Sequence, residues 1–538
     1  MKKQSVATLL ILSAVTIVSY QNCANQMFQQ EIKFESASND SQEAPPPPMC
    51  RKIEADEVKP KLLYAWDYAN DAQPAYDQVM ASPVVGDLDG DKIPEIAFVS
   101  YEKAAYSAKG VLRVLNGKTG AAKFSVSADA LMPYASTAPL LVDIDKDGKT
   151  EIVYLHYLGK KVIALNYDGS LRWEYNLDFT GTGLTSVNNC RAGFAAADID
   201  GDGRSEIIAG SWILTEAGDK TPLAHTRLAE VTTSCSTYAV SLSNAANSAL
   251  KIIGTTGAMD TNGNYLWKFK RSGLPATADL LPDVPGIEVV VTGGGFFSIY
   301  NGLTGEVIAD KTLSEHSELI CRYDANKNPI VGGGQATIGD FDGVPSTLEI
   351  AVATGKSLTI FNARGEKVAG SVTQDCSSLI TGLTSFDFNG DGKPEIIYAD
   401  ENYIRIYGMD GSNNLNIIWS EINPSWTLLE YPVVADVTGD GYAELVVVSN
   451  NYNVNNLYQN EDDKAKAKLI TGLRVYTPTS DRAWMPTRSV WNQHAYLATN
   501  VNDDLTATSS TMINGFTANL FKRNIQKGLL QQTCTTVQ

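Results

Sequence analysis

Short apolar runs recur along this chain, among them Ile96-Ala-Phe-Val99, Glu288-Val-Val-Val, Glu395-Ile-Ile-Tyr and Glu444-Leu-Val-Val-Val. Aliphatic and β-branched runs of this length predict buried strands. After such runs come segments in which apolar and polar positions alternate up to a turn. They are Val111–Gly120, Val162–Gly169, Ala258–Gly263, Phe297–Gly305, Leu358–Gly365, Ile404–Gly411 and Leu473–Pro478. Alternation marks half-buried strands, and Asn, Asp and Gly supply the hairpin turn. A Trp often follows on the next strand, as at Trp173, Trp267, Trp419 and Trp484. One such unit is an antiparallel sheet of about four strands that cannot bury both faces alone. Neighbouring units must stack, and radial stacking predicts an all-β propeller.

A nine-residue acidic loop leads into these strands. The intact copies carry Asp87, Asp89, Asp91 and Glu95; Asp143, Asp145, Asp147 and Glu151; Asp198, Asp200, Asp202 and Glu206; Asp387, Asn389, Asp391 and Glu395; and Asp436, Thr438, Asp440 and Glu444. Oxygen side chains stand at positions 1, 3, 5 and 9. A hard cation such as Ca²⁺ takes six to eight oxygens, and a glycine-bearing loop can turn alternate side chains inward while position 7 offers its carbonyl. The loop is similar to the first part of an EF-hand, but the closing acid comes at position 9 and a strand follows. One copy alone could be a solvated Asp/Gly turn; the repetition points to calcium. Two worn copies complete a count of seven units. Asp340-Phe-Asp342-Gly343 reaches Glu349 by a longer path and predicts a weak or empty site. Asp279 to Glu288 has lost the spacing and predicts a structural role only.

The acidic loops and hairpins between Lys59 and Tyr476 resemble those of FG-GAP/VCBS-repeat proteins, the propeller class of integrin α-subunit heads. The resemblance implies a seven-bladed β-propeller with calcium held between the first two strands of a blade. It does not imply one function, because this fold hosts adhesins, receptors, lectin-like binders and some enzymes.

The formal net charge is −18. Five calcium ions would bring it to about −8, so much of the acidity is metal-ligating. The chain has no basic stripe, which argues against nucleic acid as a partner. Met1-Lys2-Lys3 and the apolar stretch Val6 to Val18 form a signal peptide over 1–22, too short to span a bilayer. Tyr20-Gln21-Asn22-Cys23 resembles a bacterial lipoprotein signal, although Tyr20 and Asn22 depart from the usual residues. The resemblance implies lipidation at Cys23 and, with Ala24 next, an outer-membrane lipoprotein of the cell envelope; ordinary secretion is the alternative. Residues 23–58, with Pro45–Pro48, predict a flexible tether. The propeller is expected over 59–480 and a tail packed on its last blade over 481–538. No later segment is long and apolar enough for a membrane span, so the membrane is reached through the lipid anchor only. Six further cysteines remain, an even number suited to disulfides in an exported protein. Six cysteines allow fifteen pairings; flanking of the third and fifth loops favours Cys190 with Cys235 and Cys321 with Cys376, and the meeting of the ring's two ends favours Cys50 with Cys534.

The string Arg488-Ser-Val-Trp491-Asn-Gln-His494-Ala-Tyr496 to Asp504 follows the repeats and resembles a segment of many bacterial FG-GAP proteins. His494 with Asp503 is a catalytic temptation; packing of Trp491, Tyr496 and Phe516 is the plainer reading. His156, His225 and His316 are isolated, and no GxSxG or HExxH is present, so no catalytic residue and no organic cofactor is assigned. Gly293–Gly295 and Gly332–Gly334 suit close packing rather than phosphate binding. Insertions at Ser211 to Leu250, Ser314 to Pro329 and Asn450 to Lys468 are expected on the faces, where propellers bind ligands. The expected function is a calcium-stabilised, envelope-anchored binding or adhesion module for a protein or glycan. The alternative is a polysaccharide-active or quinoprotein-like propeller enzyme.

Overall fold

The structure, a computed structural model, describes residues 58–180, 182, 184–187, 191–216, 222–228, 236–243, 248–314, 320–344, 347–479, 483–509 and 521–525. The signal segment, Cys23, the tether to residue 57, and Cys50, Cys190, Cys235 and Cys534 lie outside the described residues. So do His316 and Phe516. Among the described residues no helix is long and apolar enough to cross a membrane.

Eight antiparallel sheets follow one another, seven of four strands and one of five. They are the blades of a β-propeller. The inner strands are Val84–Gly86, Leu140–Val142, Ala195–Ala197, Tyr238–Val240, Leu274–Ala278, Thr337–Gly339, Thr384–Phe386 and Val433–Ala435. Each pairs with a second strand, which starts at Glu95, Glu151, Glu206, Lys251, Glu288, Glu349, Glu395 and Glu444 in turn. These are the apolar runs of the sequence, and all residues of Glu95–Tyr101, Glu349–Ala353 and Glu444–Ser449 are buried. The outer strands alternate, as in Leu171–Asn176, where Trp173 is buried and Leu171 and Glu174 are exposed.

The count of seven blades is corrected to eight. The segment Ser211 to Leu250 is not a face insertion. It supplies the third blade's outer strands, Trp212–Glu216 and Pro222–Arg227, and the fourth blade's inner strand, Tyr238–Val240. The hairpin Ala258–Gly263 therefore belongs to the fourth blade, not the third. The extra blade escaped notice because it has no acidic loop. In the register where other blades pair the residue before position 1 with the closing Glu, Val240 pairs with Lys251. Ser241 and Ser243 occupy the places of the first two acids. What persists is the apolar position 2: Leu242 is buried, as are Leu88, Ile144, Ile199, Leu280, Phe341, Phe388 and Val437.

The ring is closed from both termini of the repeat region. Pro60–Ala65 pairs antiparallel with Gly472–Pro478, so an amino-terminal strand completes the eighth blade. Tyr64 then lies on the hairpin of the first blade, where a Cβ on Gly120 (φ 72°) would come within 2.4 Å of its ring. Trp267 meets Gly305 in the same way at 2.6 Å. The hairpin glycines thus serve inter-blade packing as well as turn geometry. Trp484 departs from its expectation: it lies beyond the last strand and stacks edge-on against Phe388 at 4.6 Å.

The tail packs along the propeller axis, not against the last blade alone. Val85 and Trp491 exchange both backbone hydrogen bonds at 2.9 Å. Leu141 donates to the Asn492 carbonyl at 2.8 Å, and Ala196 donates to the Gln493 side chain at 3.0 Å. Consecutive residues thereby serve consecutive blades. Asn500 reaches Ala239 in the fourth blade, the Phe521 carbonyl accepts from Thr337, and Asn524 reaches Val434 in the eighth. The tail satisfies inner-strand edges that would otherwise be buried without partners.

Candidate functional site

The acidic loops share one internal wiring. The position 2 N–H donates to the closing glutamate in seven blades: Leu88 to Glu95 at 2.8 Å, Ile144 to Glu151 at 3.0 Å, Ile199 to Glu206 at 2.7 Å, Leu280 to Glu288 at 2.8 Å, Phe341 to Glu349 at 2.9 Å, Phe388 to Glu395 at 2.9 Å and Val437 to Glu444 at 2.9 Å. The first aspartate accepts from positions 4 and 6, as Asp198 does from Gly201 at 2.8 Å and Gly203 at 3.1 Å. Positions 4 and 6 have positive φ, which explains the glycines at 201/203, 390/392 and 439/441. Position 5 accepts from position 7, as in Asp91 with Ile93, Asp147 with Lys149, Asp202 with Arg204, Asp391 with Lys393 and Asp440 with Tyr442.

This wiring draws positions 1, 3 and 9 together. Carboxylate oxygens of Asp87, Asp89 and Glu95 lie within 4.8 Å of one another, as do those of Asp143, Asp145 and Glu151, and of Asp198, Asp200 and Glu206. Asp340, Asp342 and Glu349 form the same group, although their longer loop predicted a weak or empty site. In the remaining two intact loops position 3 is uncharged. Asn389 donates to Glu395 at 3.0 Å, and the Thr438 hydroxyl is buried without a partner. At Asp279 only the closing half survives: Glu288 still accepts from Leu280 and Leu281.

Burial, with the neighbouring acids, pushes the closing glutamates up: Glu95, Glu206 and Glu349 to about 7, Glu151 and Glu444 to about 8, and Glu395 well above its ordinary value. Such a site favours a proton or a cation beside it. An oxygen-only donor set of this kind suits a hard divalent ion. Two loops also hold a side-chain cation that the sequence reading missed. Lys123 Nζ lies 2.7 Å from both Asp89 and Glu95, and Arg172 lies 2.6 Å from Asp145 and 3.0 Å from Glu151. Both are second residues of outer strands, Ala122–Val126 and Leu171–Asn176. Their place next to the acids depends on strand pairing, so the loop pattern alone gave no sign of it.

The acidic loops all lie at one end of the blades. The opposite end carries the longer connections. Ser314 to Pro329 contributes the exposed hairpin Arg322–Tyr323/Pro329–Ile330, tied down by the disulfide Cys321–Cys376. Asn450 to Lys468 forms two short helices, Val454–Leu457 and Glu461–Ala467, with Asn460 capping the second. Between them lie buried acids that the sequence did not single out. Asp375 accepts from Ser378, Thr381 and Thr427; Glu401 accepts from Gln374 and Ser377; Glu430 accepts from Ser425 at 2.8 Å and Leu428 at 2.7 Å. Tyr101 and Tyr452 lie near Glu430, in one cluster with Tyr106 and Trp426; Tyr106, Trp426 and Tyr452 are partly exposed. Gly295 and Gly332 meet here through a backbone hydrogen bond, which bears out close packing for the two glycine triplets.

His494 and Asp503 are not partners. The His494 ring contacts the Leu429 carbonyl at 2.9 Å within the axis, whereas Asp503 pairs with Arg488 at 2.5 Å. Trp491 and Tyr496 stack at 4.4 Å and fill the axial position.

A family described as FG-GAP-like repeat matches residues 143–209 and 387–447. Among curated proteins, none matches the chain. Among solved structures, the V. cholerae biofilm matrix protein Bap1 is similar with a TM-score of 0.68 and 18% identity, over 87% of this chain and 99% of that one. Rhamnogalacturonan lyase YesW and the Bacillus licheniformis rhamnogalacturonan lyase PL11 each give a TM-score of 0.49 and 16% identity. They cover 74% and 83% of this chain and 71% and 77% of their own. At these identities the likeness concerns the fold. The chain carries FG-GAP-like repeats on an eight-bladed β-propeller.

Proposed function

We propose that this protein is a calcium-stabilised binding or adhesion module of the cell envelope, which recognises a protein or glycan through the face opposite its acidic loops. The observation that carries the reading is the division of labour between the two ends of the blades. One end repeats the same oxygen-rich loop, which suits structural ions. The other end differs from blade to blade and carries the inserted hairpin, the inserted helices and the partly exposed aromatic residues. The Bap1 likeness agrees with this reading, since that protein is named for a biofilm matrix. Calcium would be held by positions 1, 3, 5 and 9 of the loops, with Lys123 and Arg172 competing for two of them. The signal segment and Cys23 support anchoring at the outer membrane through lipid, with secretion as the alternative.

The quinoprotein-like reading is opposed by the axis, which is filled by the tail rather than open to a substrate or cofactor.

The test is a glycan array with an envelope pull-down in 1 mM calcium, using the mature chain with Cys23 replaced by Ser. A retained partner is expected, with binding weakened by Tyr106→Ala or Trp426→Ala. Loss of binding on changes at the acidic-loop end alone, in protein that stays folded, would place the recognition surface wrongly. Fractionation of Cys23→Ser cells should move the protein out of the membrane fraction; unchanged association rejects lipidation.

A further inference from the structure

The tail is bound to the same residues that begin the acidic loops. The Asp143 N–H donates to the Leu505 carbonyl at 3.1 Å, Asp198 to Thr508 at 3.4 Å and Asp436 to Arg488 at 3.0 Å. Other loop positions add to this. Thr487 donates to the Gly441 carbonyl at 3.1 Å, Ala507 donates to the Ser205 hydroxyl at 3.3 Å, and Met485 donates to the Phe388 carbonyl at 3.2 Å. Four loops, those of the second, third, seventh and eighth blades, thus hold one segment. By contrast, among the described residues no hydrogen bond joins the tail to Asp87–Glu95 of the first blade.

We propose that Met485–Thr508 is a latch across the propeller axis that is fastened by ion binding in the loops. It rests on the calcium reading of those loops and goes beyond the recognition proposed above. In Asp143, Asp198 and Asp436 one residue does two things. Its carboxylate stands at position 1 of the oxygen group, and its own backbone N–H holds the tail. An ion that fixes the carboxylate fixes the amide. When the ion leaves, the acids within 4.8 Å of one another in the third loop repel, and in the second only Arg172 remains to offset them, so the loops loosen. Several tail anchors then weaken at once, because the segment is short and spans neighbouring blades. Release uncovers the inner-strand edges at Val85, Leu141 and Ala196, together with the buried Lys522, whose Nζ lies 3.8 Å from the centre of the Tyr431 ring. Linkage makes the coupling reciprocal: a tail held in place must raise the affinity of those loops for the ion.

The experiment is hydrogen exchange by mass spectrometry on the full chain, with calcium at 1 mM and with chelator. Peptides covering 485–508 should exchange about tenfold or more faster without calcium, while Glu95–Tyr101 and Val111–Asn116 of the first blade keep their protection. Asp200→Ala and Asp440→Ala should each speed exchange in the tail even with calcium present. Asp89→Ala, in the loop to which the tail makes no hydrogen bond, should not. Should a variant fail to fold, the wild-type titration decides instead, since tail protection should rise with the same calcium midpoint as thermal stability. A melting temperature that falls on chelation with tail exchange unchanged overturns the latch and leaves the calcium reading standing. Equal release by Asp89→Ala and Asp200→Ala also overturns it. If neither melting nor exchange responds, the calcium reading fails and the latch with it. None of these readouts involves an external partner, so the recognition reading is tested separately.

Discussion

The third and fourth blades are neighbours built on one plan, and the fourth has shorter strands and no acidic loop. Both pair an inner strand with a second strand whose apolar residues are buried, and both bury an apolar residue at position 2, Ile199 in one and Leu242 in the other. The third closes its loop with Glu206, beside Asp198 and Asp200. The fourth has Ser241, Ser243 and Lys251 in the corresponding places. The blade is therefore specified by apolar pairing and by the tail at the axis, where Gln493 serves Ala196 and Asn500 serves Ala239. The acidic loop is an addition to the blade, not its cause. A buried acid at the closing position needs a partner for its carboxylate, and in all seven blades that carry one the position 2 N–H supplies it.

The largest test of this contrast is removal of calcium. A site with a dissociation constant of about 10⁻⁴ M contributes about 1.4 kcal/mol at about 1 mM ion, so five sites would contribute roughly 7 kcal/mol. Chelation should lower the melting temperature by about 7 °C. Calorimetry on protein shown to start calcium-loaded measures this, and an unchanged transition removes calcium from the account of stability.

Next in size is Trp491→Ala. This side chain is buried at the axis, against Tyr496 and Tyr431. Its truncation should cost about 3–5 kcal/mol with or without calcium. A cost below about 1 kcal/mol in urea unfolding would mean that the axial segment is ornamental.

A reciprocal exchange breaks the comparison most directly. Glu206→Lys puts an ammonium where a fully buried carboxylate accepts from Ile199, and should cost about 3 kcal/mol or more. Lys251→Glu acts at a half-buried site with no acids at the neighbouring loop positions, and should cost about 1 kcal/mol or less. Equal costs would show that the two loops are not differently built.

The smallest effect concerns an acid buried outside any acidic loop. Burial pushes Glu430 up to about 7. Its folded pKa stands above the unfolded one, so its contribution is fully favourable below about 4.5 and is lost as pH rises through about 7. Between pH 6 and 8 the loss is on the order of 1 kcal/mol, and Glu430→Gln should remove that part of the pH dependence. A Glu430→Gln protein that loses as much stability as the parent over that interval assigns the dependence elsewhere.

Much of the architecture is legible in the sequence. The acidic loops, the alternating hairpins and the apolar runs each became a turn or a strand where expected, and Cys321 found Cys376. These features were legible because each depends on residues close in sequence: a period of two, a glycine at positive φ, an oxygen every second position. The fourth blade was not, because its loop has lost the acids and its short strands, Lys251–Ile253 and Gly257–Met259, are too brief to carry a period.

The sequence by itself determined the kind of unit, the oxygen donors and their spacing within each loop. Only the tertiary structure decided how many units close the ring, since closure depends on Pro60–Ala65 meeting Gly472–Pro478 some 400 residues away. It alone decided that Lys123 and Arg172 lie across two of the loops and that the Trp491-Asn492-Gln493 string fills the axis. The physical reason is the same in each case. A loop closes on its neighbours in the chain, whereas a counter-ion, a ring closure and an axial plug are set by which buried edges and charges are left without partners once the blades have stacked.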